Sequence, residues 1–321
     1  MHSRHSGPGH FRLSGPPGGC GEPERIYARA RRRGMDLVTL TDLDTIDGCL
    51  EFLDRHPGAG DFMISEEVTV LDPRSRTRLR LLLYDITEAQ HREVQRSRGD
   101  LQDLLACLRE EGILWSLGAF LGEHRADARW VGRIRDILRL ADRFEIRSGS
   151  LGRAHRALLA RLVREVFGNR PFGITAGSGS HGPSRVGRTV TVSFARTRDE
   201  FLADLRANRT WDAGEEGAPW TSTLELARVL GAGSRSLIAG GERLRDGGRS
   251  RALGRARVSL PVHLSGASLC AHALGRARAH ARIRGVSARL DRRDVRRFQQ
   301  KARSYSPVAI ATGSGSEEAR P

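Results

Sequence analysis

A chain of 321 residues is long enough to bury a full hydrophobic core, and its length predicts one large domain or two smaller ones. The absence of any run of about 18 apolar residues excludes a transmembrane helix, and the first residues lack the apolar segment of a secretory signal. The formal net charge of +16 admits a nucleic-acid partner, because clustered cations bind phosphate by releasing counterions.

Two features of the composition favour a cytoplasmic protein without a nucleic-acid role. The four cysteines are widely spaced and form no CxxC pair, which is typical of reduced thiols rather than of a zinc cluster or a disulfide framework. Lysine occurs once among the 54 basic residues, at Lys301, and this arginine bias is typical of a GC-rich coding sequence. Nucleic acid is therefore a minor alternative partner, and no membrane partner is expected.

Strands and helices alternate along residues 22–207, after a loop over residues 1–21. The predicted strands lie at 36–41, 62–70, 79–86, 113–117, 143–146, 172–176 and 189–194. The predicted helices lie at 22–33, 46–54, 87–111, 134–140, 154–167 and 198–207. We expect a break in the third helix near Gly99, with Asp100 capping its second half. The alternation predicts an α/β fold with a parallel sheet or barrel.

The composition changes after about residue 216. Residues 217–321 hold 20 basic and 7 acidic residues, and their apolar periodicity is weak. The tetrapeptide Gly-Arg-Ala-Arg occurs twice there, too short a repeat to indicate a solenoid. The sequence therefore predicts a barrel-forming domain over 1–216 and a basic, low-complexity, poorly ordered tail over 217–321, with a helix at 288–303.

Polar residues collect where several predicted strands end. Asp42 follows the first strand in Thr-Asp-Leu-Asp, and Glu66 lies in Ser-Glu-Glu-Val-Thr of the second strand. His2 lies in the opening His-Ser-Arg-His-Ser, and His181 ends the loop segment Gly-Ser-Gly-Ser-His. Polar side chains at strand ends are typical of the active sites of α/β barrels and sheets.

In this order, the motifs resemble those of the PHP (polymerase and histidinol phosphatase) family over residues 2–210. The resemblance implies a distorted (β/α)7 barrel whose strand ends hold divalent metal ions, which activate water to attack a phosphate ester. The resemblance implies Zn²⁺ or Mn²⁺ if the protein binds a cofactor, with no cofactor as the alternative, and a small phosphorylated substrate if the protein is active. The resemblance also implies that the family's first strand, with one histidine of its His-x-His motif, would lie before Met1.

The resemblance assigns metal-ligand roles to His2, Asp42, Glu66 and His181. Six other positions lack the histidine or aspartate of the family pattern, namely Gly7, Leu43, Arg80, Trp115, Ala119 and Gly179. No metal position would keep more than two ligands, whereas a catalytic ion needs at least about three. We therefore expect a phosphoesterase-like protein whose activity is weakened or lost.

Other interpretations of these residues stay open. Asp42 could cap the helix predicted from residue 46 or accept hydrogen bonds from loop amides. Glu66 could pair with Arg80 on the neighbouring strand. The whole chain could be a non-catalytic pseudoenzyme or binding protein, or it could bind nucleic acid through residues 217–321.

Overall fold

The computed structural model describes residues 1–6, 21–121, 128–179, 184–217, 274, 277–278 and 281–291. The strands in this part of the chain are β1 (Val38–Leu43), β2 (Phe62–Asp72), β3 (Thr77–Tyr84), β4 (Leu114–Leu117), β5 (Arg143–Ser148), β6 (Gly173–Gly177), β7 (Thr189–Val192) and β8 (Trp211–Gly214). The helices are α1 (Pro23–Arg32), α2 (Asp47–Arg55), α3 (Glu88–Ser97), α4 (Leu101–Glu110), α5 (Ala128–Leu138), α6 (Arg153–Phe167) and α7 (Arg198–Arg206).

The predicted α/β class is confirmed, and each predicted strand and helix up to residue 207 has a counterpart. Six strands form one curled sheet, half of a barrel, in the order β1-β2-β3-β4-β5-β6. The strands β7 and β8 form a separate antiparallel pair, and β8 was not predicted. Within the described residues, no helix combines the length and the apolar character needed to cross a membrane.

The expectation of a parallel sheet is wrong for the middle of the sheet. β1 pairs with β2, β4 with β5 and β5 with β6 in parallel, but β3 runs antiparallel to both β2 and β4. The connection between β2 and β3 is a tight turn in which the amide of Arg76 donates to the carbonyl of Asp72 at 2.8 Å. A parallel pair needs a crossover of about a dozen residues, so this short connection fixes the antiparallel pairing.

The helices α1 to α6 cover one face of the six-stranded sheet, which we call the outer face. Side chains of β2 and β3 on this face, such as Val68 and Leu81, pack into a large core with residues of α4, α5 and α6. A second cluster joins Val38 and Leu40 of β1 to α1 and α2. The opposite, concave face of the sheet is called the inner face. Leu202 and Leu205 of α7 pack there against Met63 and Leu114, closing one end of the half barrel.

The break predicted in the third helix is confirmed. α3 ends at Ser97 and α4 begins at Leu101, and the side chain of Asp100 accepts a hydrogen bond from the amide of Gln102 at 2.7 Å. α3 begins with a capping box in which Thr87 and Gln90 satisfy each other's backbone amides. Local capping signals thus fix where each of the two helices begins.

Residues 281–291 are helical and belong to the main core. Ile283, Val286 and Leu290 are buried in the same cluster as the residues of α5 and α6. Arg161 of α6 also lies 2.8 Å from Asp291 in an ion pair. The helix predicted at 288–303 overlaps this segment at 288–291, and residues beyond 291 lie outside the described part. The division of the chain near residue 216 stays a prediction.

Candidate functional site

The inner face of the six-stranded sheet bounds a cavity of about 150 Å³. Its wall near the beginnings of β1 and β2 is apolar and includes Met35, Leu37, Met63, Phe201 and Leu205. Its wall near the C-terminal end of β1 is polar and includes His2, Glu67, Glu145, Gly177 and Ser178. The cavity is therefore amphipathic, with acidic side chains at one end.

Glu67 is the centre of the polar end. Its Oε2 lies 3.4 Å from Nε2 of His2, and its Oε1 lies 3.0 Å from Nη1 of Arg80. In the β2–β3 register, Glu67 is opposite Leu82 and Thr69 is opposite Arg80, so Glu67 and Arg80 lie on one face as diagonal neighbours. The side chain of Glu67 is 9% exposed, so this ion pair is largely shielded from water.

Glu145 is the second buried acid of the cavity. It lies in β5 between two core residues, Phe144 and Ile146, and alternation along the strand places its side chain on the inner face. Its Oε2 accepts a hydrogen bond from the amide of Ala119 at 3.3 Å. Burial, and then the negative charge of Glu67, raises the pKa of Glu145 to about 8. The carboxyl group is therefore mostly protonated at neutral pH.

Glu66 lies on the outer face and not in the cavity. Its buried Oε2 accepts a hydrogen bond from Nε2 of Gln95 at 3.0 Å and lies 3.0 Å from Nδ1 of His91. Both partners belong to α3, so Glu66 ties this helix to the sheet. The expected pair between Glu66 and Arg80 is wrong, because strand alternation directs the adjacent Glu67 towards Arg80 instead.

Asp42 is buried and anchors the first residues of the chain. Its carboxylate accepts hydrogen bonds from the amide of Ser3 and from the hydroxyl of Ser3, the latter at 2.5 Å. Burial raises the pKa of Asp42, and the hydrogen bonds from Ser3 act in the opposite direction. The bond to a loop amide was expected, but the capping role is wrong, because α2 begins after Ile46 without a side-chain cap.

Asp42 and Glu66 are direct partners in the β1–β2 register, but the side chains assigned to a metal site make different contacts. His2 contacts Glu67, Asp42 contacts Ser3, and Glu66 contacts α3. His181 lies outside the described residues. Sequence reasoning missed Glu67 and Glu145 as cavity residues. An acid flanked by Phe144 and Ile146 in a short strand was the available signal for Glu145.

A model of the PHP-associated region (PHP_C) matches residues 160–210, from within α6 to the residue before β8. This match agrees with the resemblance of the sequence motifs to the PHP family. No curated protein matches the chain significantly.

Three solved structures are similar to this chain. An amidohydrolase from Chromobacterium violaceum, with bound sulfate and no metal, is 17% identical at a TM-score of 0.44, covering 63% of this chain and 95% of its own. A proposed metal-dependent phosphoesterase from Bifidobacterium adolescentis is 13% identical at a TM-score of 0.37. The match covers 59% of this chain and 92% of the phosphoesterase. PsfC from Pseudomonas syringae PB-5123 is 15% identical at a TM-score of 0.43. The match covers 67% of this chain and 88% of PsfC. Likenesses at these TM-scores carry no inference about activity.

The described residues do not fit a divalent metal centre. Among them, no three histidine, cysteine, aspartate or glutamate side chains form a group that could hold a metal ion. The guanidinium of Arg80, 3.0 Å from Glu67, would repel a cation placed at that carboxylate. Leu43 offers no ligand atom. The metal role of His2, Asp42, Glu66 and His181 stays a prediction.

Proposed function

We propose that this chain binds a small molecule in its inner cavity and does not hydrolyse phosphate esters by metal-activated water. The contact between Arg80 and Glu67 carries this proposal. Metal-assisted hydrolysis needs carboxylate and imidazole ligands that are free to hold an ion with an open coordination position. Here the carboxylate at the polar end of the cavity is paired with a guanidinium at 3.0 Å.

The charge of Arg80 takes part of the electrostatic role that a metal ion would have. A guanidinium stays protonated at any physiological pH, so it stabilises the buried Glu67 carboxylate without a bound ion. It supplies no open coordination position and cannot lower the pKa of a bound water as a metal does. On this proposal the curled sheet is the larger part of a distorted seven-stranded barrel of the PHP type, kept as a binding scaffold.

A weak metal-dependent phosphoesterase is the second candidate. The 3.4 Å contact between Nε2 of His2 and Oε2 of Glu67 favours it, because one imidazole and one carboxylate are the kinds of ligand that Zn²⁺ and Mn²⁺ accept. His181 would have to complete such a site. Nucleic-acid binding through residues 217–321 stays a prediction, since most of that segment lies outside the described residues.

Metal content and phosphatase activity, measured together, distinguish the two candidates. The full chain would be purified after growth with added Zn²⁺ and Mn²⁺ and studied by elemental analysis and with p-nitrophenyl phosphate. We expect well under one metal ion per chain and no turnover that a chelator abolishes. A stoichiometric ion that survives gel filtration, together with chelator-sensitive phosphate release, would overturn the proposal.

The variant Arg80→His adds a matched comparison, because it restores the residue type that the PHP resemblance implies at this position. If the guanidinium is what excludes an ion, Arg80→His should bind more Zn²⁺ than the unmodified protein, and exposed Arg78→His should not. Equal metal content in all three proteins would show that Arg80 does not decide metal binding.

A further inference from the structure

Four arginines from two separate parts of the chain lie together beside the inner cavity. Arg29 lies in α1 and Arg33 directly follows it, whereas Arg185 and Arg188 come from the turn before β7. In that turn the amide of Arg188 donates to the carbonyl of Arg185 at 3.0 Å, and Gly187 has a positive φ of 70°, which favours glycine. Gly187 also borders the cavity. We call the four arginines the arginine cluster.

Arg33 and Arg188 bind the same carbonyl oxygen. Nη2 of Arg33 and Nε of Arg188 donate to the oxygen of Ser184 at 2.9 Å and 3.0 Å. Nη1 of Arg33 also donates to the carbonyl of Val186. Two guanidinium groups that share one acceptor lie close enough for their charges to repel each other. Burial, and then the charges of Arg188 and Arg29, lower the pKa of Arg33 accordingly. Arginine still stays protonated at physiological pH, so positive charge is concentrated here.

Glu215, which follows β8, compensates part of this charge. Its carboxylate lies 2.7 Å from Nη1 of Arg188 and 3.7 Å from Nη1 of Arg185. The hydrogen bond from Arg188 lowers the pKa of Glu215, so this acid is ionised at neutral pH. Arg29 and Arg33 form no ion pair within the part of the chain that the structure describes. Four guanidinium groups against one carboxylate leave a formal excess of three positive charges.

Two guanidinium groups of the arginine cluster have a donor that is not used. The Nε atoms of Arg29 and Arg185 are buried and have no hydrogen-bond partner among the described residues. Arg185 is only 8% exposed, so water reaches this donor poorly. A buried N–H group without an acceptor is unfavourable, and an anionic oxygen beside it would satisfy it. Unused donors and excess positive charge therefore occur in the same cluster.

We propose that the arginine cluster binds a phosphoryl group, either as inorganic phosphate or as part of a small phosphate ester. A guanidinium presents several N–H donors in one plane and no acceptor, which matches the acceptor oxygens and the charge of about −2 of a phosphoryl group. A carboxylate offers fewer oxygens and a single charge, and a cation would be repelled. Gly187 lines the inner cavity but the four arginines do not, so this site is additional to the cavity and does not depend on the proposed function.

Isothermal titration calorimetry on the full chain with inorganic phosphate, phenyl phosphate and acetate tests the inference. The titrations are run at pH 8, at constant ionic strength and with a chelator present, so that neither screening nor a bound metal ion differs between the probes. We expect phosphate or phenyl phosphate to bind at least about tenfold more tightly than acetate, and the tighter of the two identifies the source of the phosphoryl group. Binding of acetate as tightly as both phosphates, or no binding of either phosphate, would overturn the inference.

The variant Arg29→Gln removes one charge and one unused donor of the cluster without breaking an ion pair between described residues. It should weaken binding of the tighter phosphate probe at least about fivefold. Arg78→Gln, at an exposed position of β3, makes the same change in net charge and should leave the affinity within about twofold. Equal weakening by the two variants would show that the anion responds only to the net charge of the chain, which would overturn the inference.

The variant Glu215→Gln should act in the opposite direction, which a loss of folding cannot imitate. Removing this carboxylate frees the guanidinium groups of Arg185 and Arg188, so the tighter phosphate probe should bind at least about threefold more tightly. Glu88→Gln, at the exposed first residue of α3, is the matched control and should change the affinity less than about twofold. Unchanged or weaker binding by Glu215→Gln would overturn the inference, whereas the metal content and phosphatase measurements decide the proposed function separately.

Discussion

Glu66 and Glu67 are adjacent in β2, and their carboxyl groups lie on opposite faces of the six-stranded sheet. Glu66 contacts His91 and Gln95 of α3 on the outer face, and Glu67 contacts Arg80 on the inner face. The first acid therefore has a structural role in holding a helix, and the second contributes to the electrostatics of the cavity. Substitutions at the two positions should have different consequences.

Replacing Glu66 should lower the stability of the fold without changing the cavity. Glu66→Ala removes a fully buried acceptor and leaves Gln95 and His91, both only partly buried, without that partner, at a cost of about 2–3 kcal/mol. Urea unfolding would measure the change. Glu88→Ala, at the exposed first residue of α3, is the control and should cost less than about 0.5 kcal/mol. Equal stability of the two variants would contradict the anchoring role of Glu66.

Replacing Arg80 should destabilise the protein through Glu67. In Arg80→Ala the Glu67 carboxylate, whose side chain is 9% exposed in the unmodified protein, loses its cation at 3.0 Å. Since Arg80 is itself 27% exposed, the expected cost is about 1–3 kcal/mol, below that of a fully buried pair. Arg78→Ala, at an exposed position of the same strand, is the control.

The double variant Arg80→Ala/Glu67→Gln sharpens this comparison. If the cost of Arg80→Ala arises from an uncompensated carboxylate, adding Glu67→Gln should recover part of the lost stability. Non-additive free energies of unfolding in this double-mutant cycle would measure the coupling of the pair. Strictly additive values would show that the two side chains do not interact.

Glu145 should make stability depend on pH. Its pKa is about 8 in the folded state against an ordinary value of 4.5, so between these pH values the folded state holds a proton that the unfolded chain has released. The stabilising contribution is complete below pH 4.5 and is lost as the pH rises through about 8. The slope attributable to this group is at most about 1.4 kcal/mol per pH unit.

Urea unfolding between pH 5 and pH 9 tests this dependence. Glu145→Gln cannot ionise, so its stability should vary less with pH than that of the unmodified protein, and the difference between the two isolates the contribution of Glu145. At pH 5 the two proteins should be similar in stability, and at pH 9 the variant should be the more stable one. Parallel pH profiles would show that the acid does not titrate in this range.

Local signals predicted the elements of this fold, because each depends on a few neighbouring residues. Asp100 was recognised as a helix cap since its side chain precedes an apolar helical pattern, and the structure confirms it. The direction of β3 was missed because the prediction rested on the alternation of elements and did not weigh how few residues join it to β2. The connection length was visible in the sequence, whereas the partners of each strand were not.

The sequence did not show which of the adjacent acids Glu66 and Glu67 faces the cavity. β2 has buried residues on both faces, so its sequence shows no clean alternation that would tell the inner from the outer face. An error of one residue in the assignment then places every side chain of the strand on the opposite face of the sheet. Ile283, Val286 and Leu290 have a helical spacing, but the prediction for this segment rested on its basic composition. Whether these residues meet the core is a long-range contact, which composition does not encode.

The core contacts of residues 281–291 lead to the last prediction, which concerns the basic segment after residue 216. Leu290 is fully buried in the main core, so Leu290→Ala should cost about 2–4 kcal/mol of stability. Arg289→Ala, at the exposed neighbouring position, should cost less than about 0.5 kcal/mol.

Deleting residues 217–321 should destabilise the remaining chain by at least as much as Leu290→Ala. The deletion removes Ile283, Val286 and Leu290 together, and it exposes the apolar surface of α5 and α6 against which they pack. Thermal unfolding of the full chain, of Leu290→Ala and of the truncated chain would rank the three proteins by stability. A truncated chain as stable as the full one would show that residues 281–291 do not contribute to the core, and the segment would then be a dispensable tail.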